Sequence, residues 1–169
     1  MNLHTLIAAV LLCGVAAIQP AIAFEVEPLE TETLPEAAPT SRLDRVHSVI
    51  DQALGLIGIR YRRGGNSVET GFDCSGFVAH VFDSVAGLKL PRTTYEIARL
   101  GTDVAKGELK PGDLVFFNTM RRSFSHVGIY LGDQKFIHAP RTGRNIRVED
   151  MSGPYWTARF NGARRIEAR

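Results

Sequence analysis

From Ser41 onward, apolar residues return every three or four positions: Leu43, Val46, Val49, Ile50, Ala53, Leu54 and Ile57. That spacing predicts an amphipathic helix with this stripe turned to the core. Ser41, with Asp44 three residues on, gives it a capping-box-like start, and Gly55 and Gly58 mark its end. Residues 61–71 read as a loop, broken by Gly64-Gly65 and Gly71. Asp73 can cap a second helix running from Cys74 to about Val85, with Phe77, Val78, Val81 and Phe82 buried. A shorter helix follows Leu90-Pro91-Arg92, capped by Thr93 or Thr94. Beyond Pro111-Gly112 the pattern changes to short apolar runs. Residues 113–117, 127–131 and 135–138 read as strands, the last two joined by a tight turn at Gly132-Asp133. Residues 144–149 and 163–166 add further strands. Helices come first and strands later, which predicts an α+β domain with an antiparallel sheet.

The N-terminal part differs. Residues 6–18 are apolar, carry no charge, and are too few to span a bilayer comfortably. Ala21-Ile22-Ala23 follows, a small-x-small pattern that suits signal peptidase. Residues 1–23 are therefore expected to be an export signal, although the only polar flank with basic character is His4. Cys13 raises lipid anchoring as the alternative, but it sits inside the apolar run behind the bulky Leu12. Residues 24–40 hold Glu25, Glu27, Glu30, Glu32 and Glu36 with Pro28, Pro35 and Pro39, and read as an acidic linker. Residues 41–169 then form one domain, with no transmembrane span left in the mature chain.

Charge is distributed unevenly. All 20 Lys and Arg residues follow position 40, whereas five of the 18 acidic residues precede it. The domain is thus basic, and a basic face attracts an acidic polymer such as cell-wall peptide carboxylates. Nucleic acid is not the expected partner of a chain with an expected export leader and no recognisable binding motif. Arg121-Arg122 and Arg164-Arg165 read as solvated surface.

If Cys13 leaves with the signal, Cys74 is alone, and an exported chain with one thiol is not using it for a disulfide. Cys74 at the first turn of a helix would feel the positive end of the helix dipole, which favours thiolate, and a nearby imidazolium would favour it further. His126 opens one predicted strand and His138 closes the next, so a hairpin would bring the two rings together. A thiol, a base to take its proton and a group to orient that base are the parts of a cysteine hydrolase. The same residue types admit a Cys-His-His zinc site, without the closely spaced ligand pair that usually anchors one. Cys74 as a small buried hydrophobe is the plainest alternative. His47 and His80 have no assigned role.

Six stretches resemble the NlpC/P60 family of bacterial cell-wall cysteine peptidases: Tyr61-Arg62-Arg63-Gly64-Gly65, Phe72-Asp73-Cys74-Ser75-Gly76-Phe77, Leu90-Pro91-Arg92-Thr93-Thr94, Lys110-Pro111-Gly112-Asp113-Leu114-Val115-Phe116-Phe117, Ser125-His126-Val127-Gly128-Ile129-Tyr130 and Phe136-Ile137-His138-Ala139. The resemblance implies a papain-like fold, with N-terminal helices carrying the cysteine packed on a small antiparallel sheet carrying the histidines. It implies Cys74 as nucleophile, His126 as base and His138 as third member. It further implies Tyr61 near the nucleophile, Asp73 and Ser75 holding the acyl side of the substrate, and Arg92 as a contact for a substrate carboxylate. The Cys74 N–H is a second oxyanion donor. No metal or cofactor is called for, and the zinc reading gives way. The substrate class is the peptide stem of peptidoglycan, met in the periplasm, with a regulatory protein partner as a further expectation. The ending Met151-Ser152-Gly153-Pro154-Tyr155-Trp156, Arg159-Phe160-Asn161 and Ala163-Arg164-Arg165 looks like the Spr-type murein endopeptidases. That branch opens the D-alanyl–meso-diaminopimelate crosslink, while the wider family cuts the γ-D-glutamyl–diaminopimelate bond. One departure is Ile97, which stands where the family commonly has a glutamine near the cleft.

Overall fold

The structure, a computed structural model, describes residues 41–119 and 121–167. The expected export signal, Cys13 and the acidic segment 24–40 lie outside the described residues.

Helix α1 (Arg42–Gly55) starts as its sequence requires. The Ser41 hydroxyl accepts from the Asp44 N–H at 3.1 Å, and the Asp44 carboxylate accepts from the Ser41 N–H at 3.0 Å. Its buried stripe differs from expectation. Val49, Ala53 and Leu56 enter the core, but Leu43, Leu54 and Ile57 are 70%, 39% and 50% exposed. A spacing of three and four fits two adjacent faces of one helix, and only one of them lies against the rest of the core. On the other, Leu43, Val46 and Ile50 line an open groove of about 660 Å³ with Phe82, Leu131 and Ile166.

The stretch expected to be loop contains a two-stranded ribbon, β1 (Asn66–Ser67) against β2 (Gly71–Phe72). Helix α2 (Cys74–Ala86) follows directly. Asp73 caps it, Oδ1 accepting from the Gly76 N–H at 2.8 Å, and Gly87 ends it in the left-handed conformation. Phe77, Val78, Val81 and Phe82 are its buried residues, as the spacing predicts, joined by Ser75 and Gly76.

Gly76 is fixed by close packing. A Cβ there would fall inside the van der Waals envelope of the Gly65 carbonyl oxygen, a backbone atom of the ribbon loop. That carbonyl also accepts from the Asp73 N–H at 3.1 Å, so it cannot swing aside without breaking the junction. Gly76→Ala should therefore destabilise the protein by about 2 kcal/mol or more, read as a lower urea midpoint at unchanged slope. An unchanged midpoint would show that the loop yields freely.

A four-residue helix, α3 (Thr94–Ile97), is capped by Thr93 in a capping box with Glu96. The remaining chain forms β3 (Thr102–Asp103), a 3-10 turn (Lys106–Glu108), β4 (Leu114–Phe117), β5 (His126–Gly132), β6 (Lys135–His138), β7 (Arg147–Asp150), α4 (Pro154–Thr157) and β8 (Phe160–Arg165). The sheet is six-stranded and antiparallel throughout, in the order β3-β8-β4-β5-β6-β7. Alternation divides its side chains. Leu114, Phe116, Val127, Ile129 and Ile137 join the core shared with α1 and α2. Val115, Phe117, Tyr130, Phe136 and Ala163 join Met151 and Trp156 in a second core. The α+β class with helices packed on an antiparallel sheet is the one expected.

Two arginines read as solvated surface are structural. Arg165 grips the buried Asp113 with both arms, Nε to Oδ1 and Nη2 to Oδ2, each at 2.7 Å. Arg164 donates to the Ala98 carbonyl at 2.5 Å and pairs with Asp103. Both lie on β8, where the expected run of charge is folded against the protein. Ile97 is fully buried in the main core, so this position faces the interior and not a solvent-lined cleft.

Candidate active site

Cys74 is the first residue of α2 and packs, partly exposed, against the main core beside Tyr61. At that position its N–H has no partner within the helix and faces outward from the helix end. Tyr61 is held by its own backbone, its N–H donating to the Arg144 carbonyl at 2.8 Å and its strand bridging Phe72. The Asp73 carboxylate is an assembly point. It caps α2, accepts from the Gly64 N–H at 3.0 Å, and takes both arms of Arg92, Nη1 to Oδ1 at 2.9 Å and Nη2 to Oδ2 at 2.6 Å. Arg92 also donates to the Ser75 hydroxyl at 2.8 Å. The structure thus brings Tyr61, Asp73, Cys74, Ser75 and Arg92 together around the start of α2. The carboxylate that Arg92 meets within the chain is Asp73.

The two histidines meet across the β5–β6 hairpin, and the register explains how. Ile129 pairs Ile137, so His138 falls opposite Gly128, two residues beyond His126 and on the same face. A Cβ on Gly128 would stand 2.7 Å from Phe136 Cδ2 and 3.2 Å from His138 Cβ. The missing side chain leaves the diagonal open, and His126 Nε2 lies 2.7 Å from His138 Nδ1. Both residues are buried, His138 completely. Trp156 closes over them, stacked on the His126 ring and edge-on to His138. Ser125, just before His126, takes the Thr119 N–H at 2.9 Å and ties down the turn that leads into β5.

Burial dominates the electrostatics. His126 is pushed down to about 3, by desolvation first and by its neighbour His138 second. His138 is also lowered by burial, against the pull of Glu149. Burial, then the Asp73 charge, pushes the Cys74 thiol up to about 11, while backbone amides of Val127, Ser75 and Cys74 oppose the shift. The direction is opposite to the one expected from the helix end, because desolvation beside the Asp73 anion disfavours the thiolate. Burial and the nearby Cys74 and Asp73 raise Tyr61, keeping its hydroxyl a donor. Burial works against the Asp73 charge, but Arg92 and the amides of Gly76 and Gly64 leave its carboxyl below the ordinary range.

One group was not read from the sequence. Glu149 on β7 places Oε1 3.4 Å from His138 Nε2. Its Oε2 accepts from the Trp156 indole at 2.6 Å, and Arg147 holds Oε1 at 2.5 Å. The His138 bond first, with Arg147 and Trp156 against the cost of burial, draws Glu149 down to about 2. Its only trace in the sequence is an acidic residue in a predicted strand, in no recognisable motif.

This site makes the fold sensitive to acid. His126 titrates near 6.5 when unfolded but near 3 when folded, so the unfolded chain takes up the proton first. Stability should be full above pH 6.5 and fall by about 1.4 kcal/mol per pH unit from there toward pH 3. Glu149, lowered from 4.5 to about 2, adds a loss that begins below pH 4.5. Urea midpoints from pH 8 to pH 4 measure this, and His126→Gln should flatten the upper part of the curve. Among the described residues, no group of three His, Cys, Asp or Glu side chains is arranged to hold a metal ion.

Comparison with known proteins places these features in a family. The family model for NlpC/P60 matches residues 58–165. Murein DD-endopeptidase MepS/Murein LD-carboxypeptidase of Escherichia coli K12 is 44% identical over 121 residues, which is 72% of this chain and 63% of that protein. Murein DD-endopeptidase MepH of the same strain is 42% identical over 69% of this chain and 44% of its own length. The chain thus spans less than two thirds of either relative. The crystal structure of an NlpC/P60 family protein from Bacillus cereus superposes with a TM-score of 0.66 at 34% identity, covering 71% of this chain and 39% of that one.

Proposed function

This chain belongs to the NlpC/P60 family, and we propose that it is an exported cysteine endopeptidase that hydrolyses the peptide stems of peptidoglycan, at the D-alanyl–meso-diaminopimelate crosslink. The observation that carries the reading is the junction of α2 and β5. Cys74 stands at the helix start within the field of Tyr61 and Asp73, with Val127 donating toward its thiol. His126, the residue before Val127, is already bonded through Nε2 to His138, which leaves Nδ1 for proton transfer. The E. coli relatives named as murein DD-endopeptidases support the substrate class.

In this reading Cys74 Sγ attacks the carbonyl carbon of the D-residue while His126 takes the thiol proton. The oxyanion is met by the Cys74 N–H and the Tyr61 hydroxyl. Collapse breaks the C–N bond, His126 delivers the proton to the leaving amine, and a thioester remains on Cys74. Water then attacks the thioester, His126 accepts its proton and returns one to the sulfur, and the free carboxylate leaves. His138 orients His126. Ser75 and Asp73, held by Arg92, shape the acyl side, and the half-exposed Arg92 guanidinium adds positive charge toward an acidic stem. Among the described residues no helix is long and apolar enough to cross a membrane. Export to the periplasm, by cleavage after Ala23, belongs to the same proposal, as does a protein partner that restrains the activity.

The test is mass spectrometry of purified crosslinked Gram-negative muropeptides incubated with the protein. Loss of dimers with a gain of intact tetrapeptide monomers is the expected result. Dipeptide-bearing monomers would move the cut to the γ-D-glutamyl bond, and binding without any product would make the chain a peptidoglycan-binding module.

A further inference from the structure

We infer that Glu149 is a positioning residue: it sets the direction of the His126–His138 relay by fixing the tautomer of both rings. The argument runs inward from the carboxylate. Glu149 is mostly covered, with Oε2 taken by the Trp156 indole N–H and Oε1 shared between Arg147 and the space beside His138. An ionised carboxylate only accepts hydrogen bonds. The group it presents to His138 Nε2, 3.4 Å away, therefore favours a proton on that nitrogen. His138 is fully buried, and its Nε2 makes no hydrogen bond to any described group, so the Glu149 carboxylate 3.4 Å away is the acceptor in reach of it. A neutral ring protonated on Nε2 carries its lone pair on Nδ1, the atom 2.7 Å from His126 Nε2. His126 must then donate from Nε2, and its own lone pair is left on Nδ1. One negative charge on β7 thus turns a symmetric pair of imidazoles into a one-way chain that ends in a bare basic nitrogen.

Among the described residues, no other group packed on the rings offers an acceptor to His138 Nε2. Phe136 and Trp156 cover the rings, and the Trp156 N–H points to Glu149 and not to either imidazole. Arg147, opposite His138 in the register, is a donor, and its guanidinium is bound to Glu149. Without the carboxylate, the bias would rest on the far end of the pair, where in the proposed mechanism the Cys74 thiol faces His126 Nδ1.

The consequence for catalysis rests on the cysteine-hydrolase reading, but the tautomers themselves are observable without substrate. The experiment is long-range proton–nitrogen correlation NMR on the full chain labelled in its histidines. In the unsubstituted protein His126 and His138 are both expected as the Nε2-protonated form. Glu149→Met, of similar length and unable to accept, should give mixed tautomers at both rings and lower kcat by about 10²-fold with KM little changed. That is less than the ~10⁴-fold that a wrong tautomer directly behind a catalytic base costs. Trp156→Phe, which keeps an aromatic cover but loses the donor, should leave the Nε2-protonated forms in place. If Glu149→Met does not fold, Glu149→Gln carries the test, since an amide oxygen accepts more weakly and should restore only part of the single-tautomer signal. Unchanged tautomers in a folded Glu149 variant would overturn the inference. A protein with the expected tautomers that never cleaves muropeptides would instead overturn the hydrolase reading and leave this one standing.

Discussion

Cys74→Ala should lower turnover of crosslinked muropeptides by roughly 10⁶-fold, the scale on which loss of a nucleophile collapses a coupled triad. The fold should survive it. Asp73 caps α2 through Oδ1 to the Gly76 amide, and the close contact of Gly76 with Gly65 is made by backbone. Neither involves the thiol. Alanine is a good helix former, so it costs nothing at the first helical position. The check is a pair of measurements on one preparation: product formation by mass spectrometry and the urea midpoint. Residual activity above about one percent in a metal-free, protease-free sample would mean that the sulfur is not the attacking atom. Loss of activity together with a large drop in midpoint would make Cys74 a packing residue instead.

The second large effect concerns the resting state of that thiol. With Cys74 at about 11 and His126 at about 3, both groups are neutral at pH 7, and no thiolate–imidazolium pair stands ready. For a thiol the charged form is favoured as pH rises toward its pKa. The thiolate fraction at pH 7 is then ~10⁻⁴, against ~10⁻² for a thiol at its ordinary value near 9. Alkylation by iodoacetamide should rise about tenfold per pH unit from 7 to 10 without a plateau, and run ~10²-fold slower at pH 7 than in a short cysteine peptide. A flat rate between pH 6 and 8 would reveal a preformed ion pair and sink the expectation. In the proposed mechanism the charge separation would instead be made during attack, with His126 accepting the proton in concert with bond formation. A thiol kept neutral also reacts slowly with oxidants.

Much of this arrangement was legible before the structure. The capping box of α1, the Asp73 cap, the α2 stripe and the core strands rest on local chemistry, and local chemistry is what a sequence displays. The stripe of α1 was misjudged because Leu43, Leu54 and Ile57 satisfy helical spacing as well as Val49, Ala53 and Leu56 do. Which face is covered depends on where α2 and the sheet lie. The ribbon β1–β2 and the short α4 escaped because two to four residues carry too little periodicity to register. Arg164 and Arg165 looked like surface because their partners, Asp103, Asp113 and the Ala98 carbonyl, lie 52 to 66 positions away. The sign of the thiol shift was missed for the same kind of reason. A helix end is visible in sequence, but the protein that gathers around it is not. Glu149 is the plainest case, since its meaning comes entirely from the β6–β7 register.

The strand order has a consequence for the order of events in making the protein. β8 is the last strand among the described residues, yet it sits inside the sheet between β3 and β4, pairing Thr102 with Arg165 and Leu114 with Arg164. Asn161, at its start, also receives the Phe124 N–H at 2.6 Å, bracing the turn that leads into His126. A nascent chain that has emerged only as far as His138 holds every residue of the proposed triad but not the strand that seats them. The two strand pairings span 63 and 50 positions, and closing such loops is slow. Assembly of the site therefore waits for β8. A chain that stopped short of that strand would carry the proposed triad without the strand that braces it.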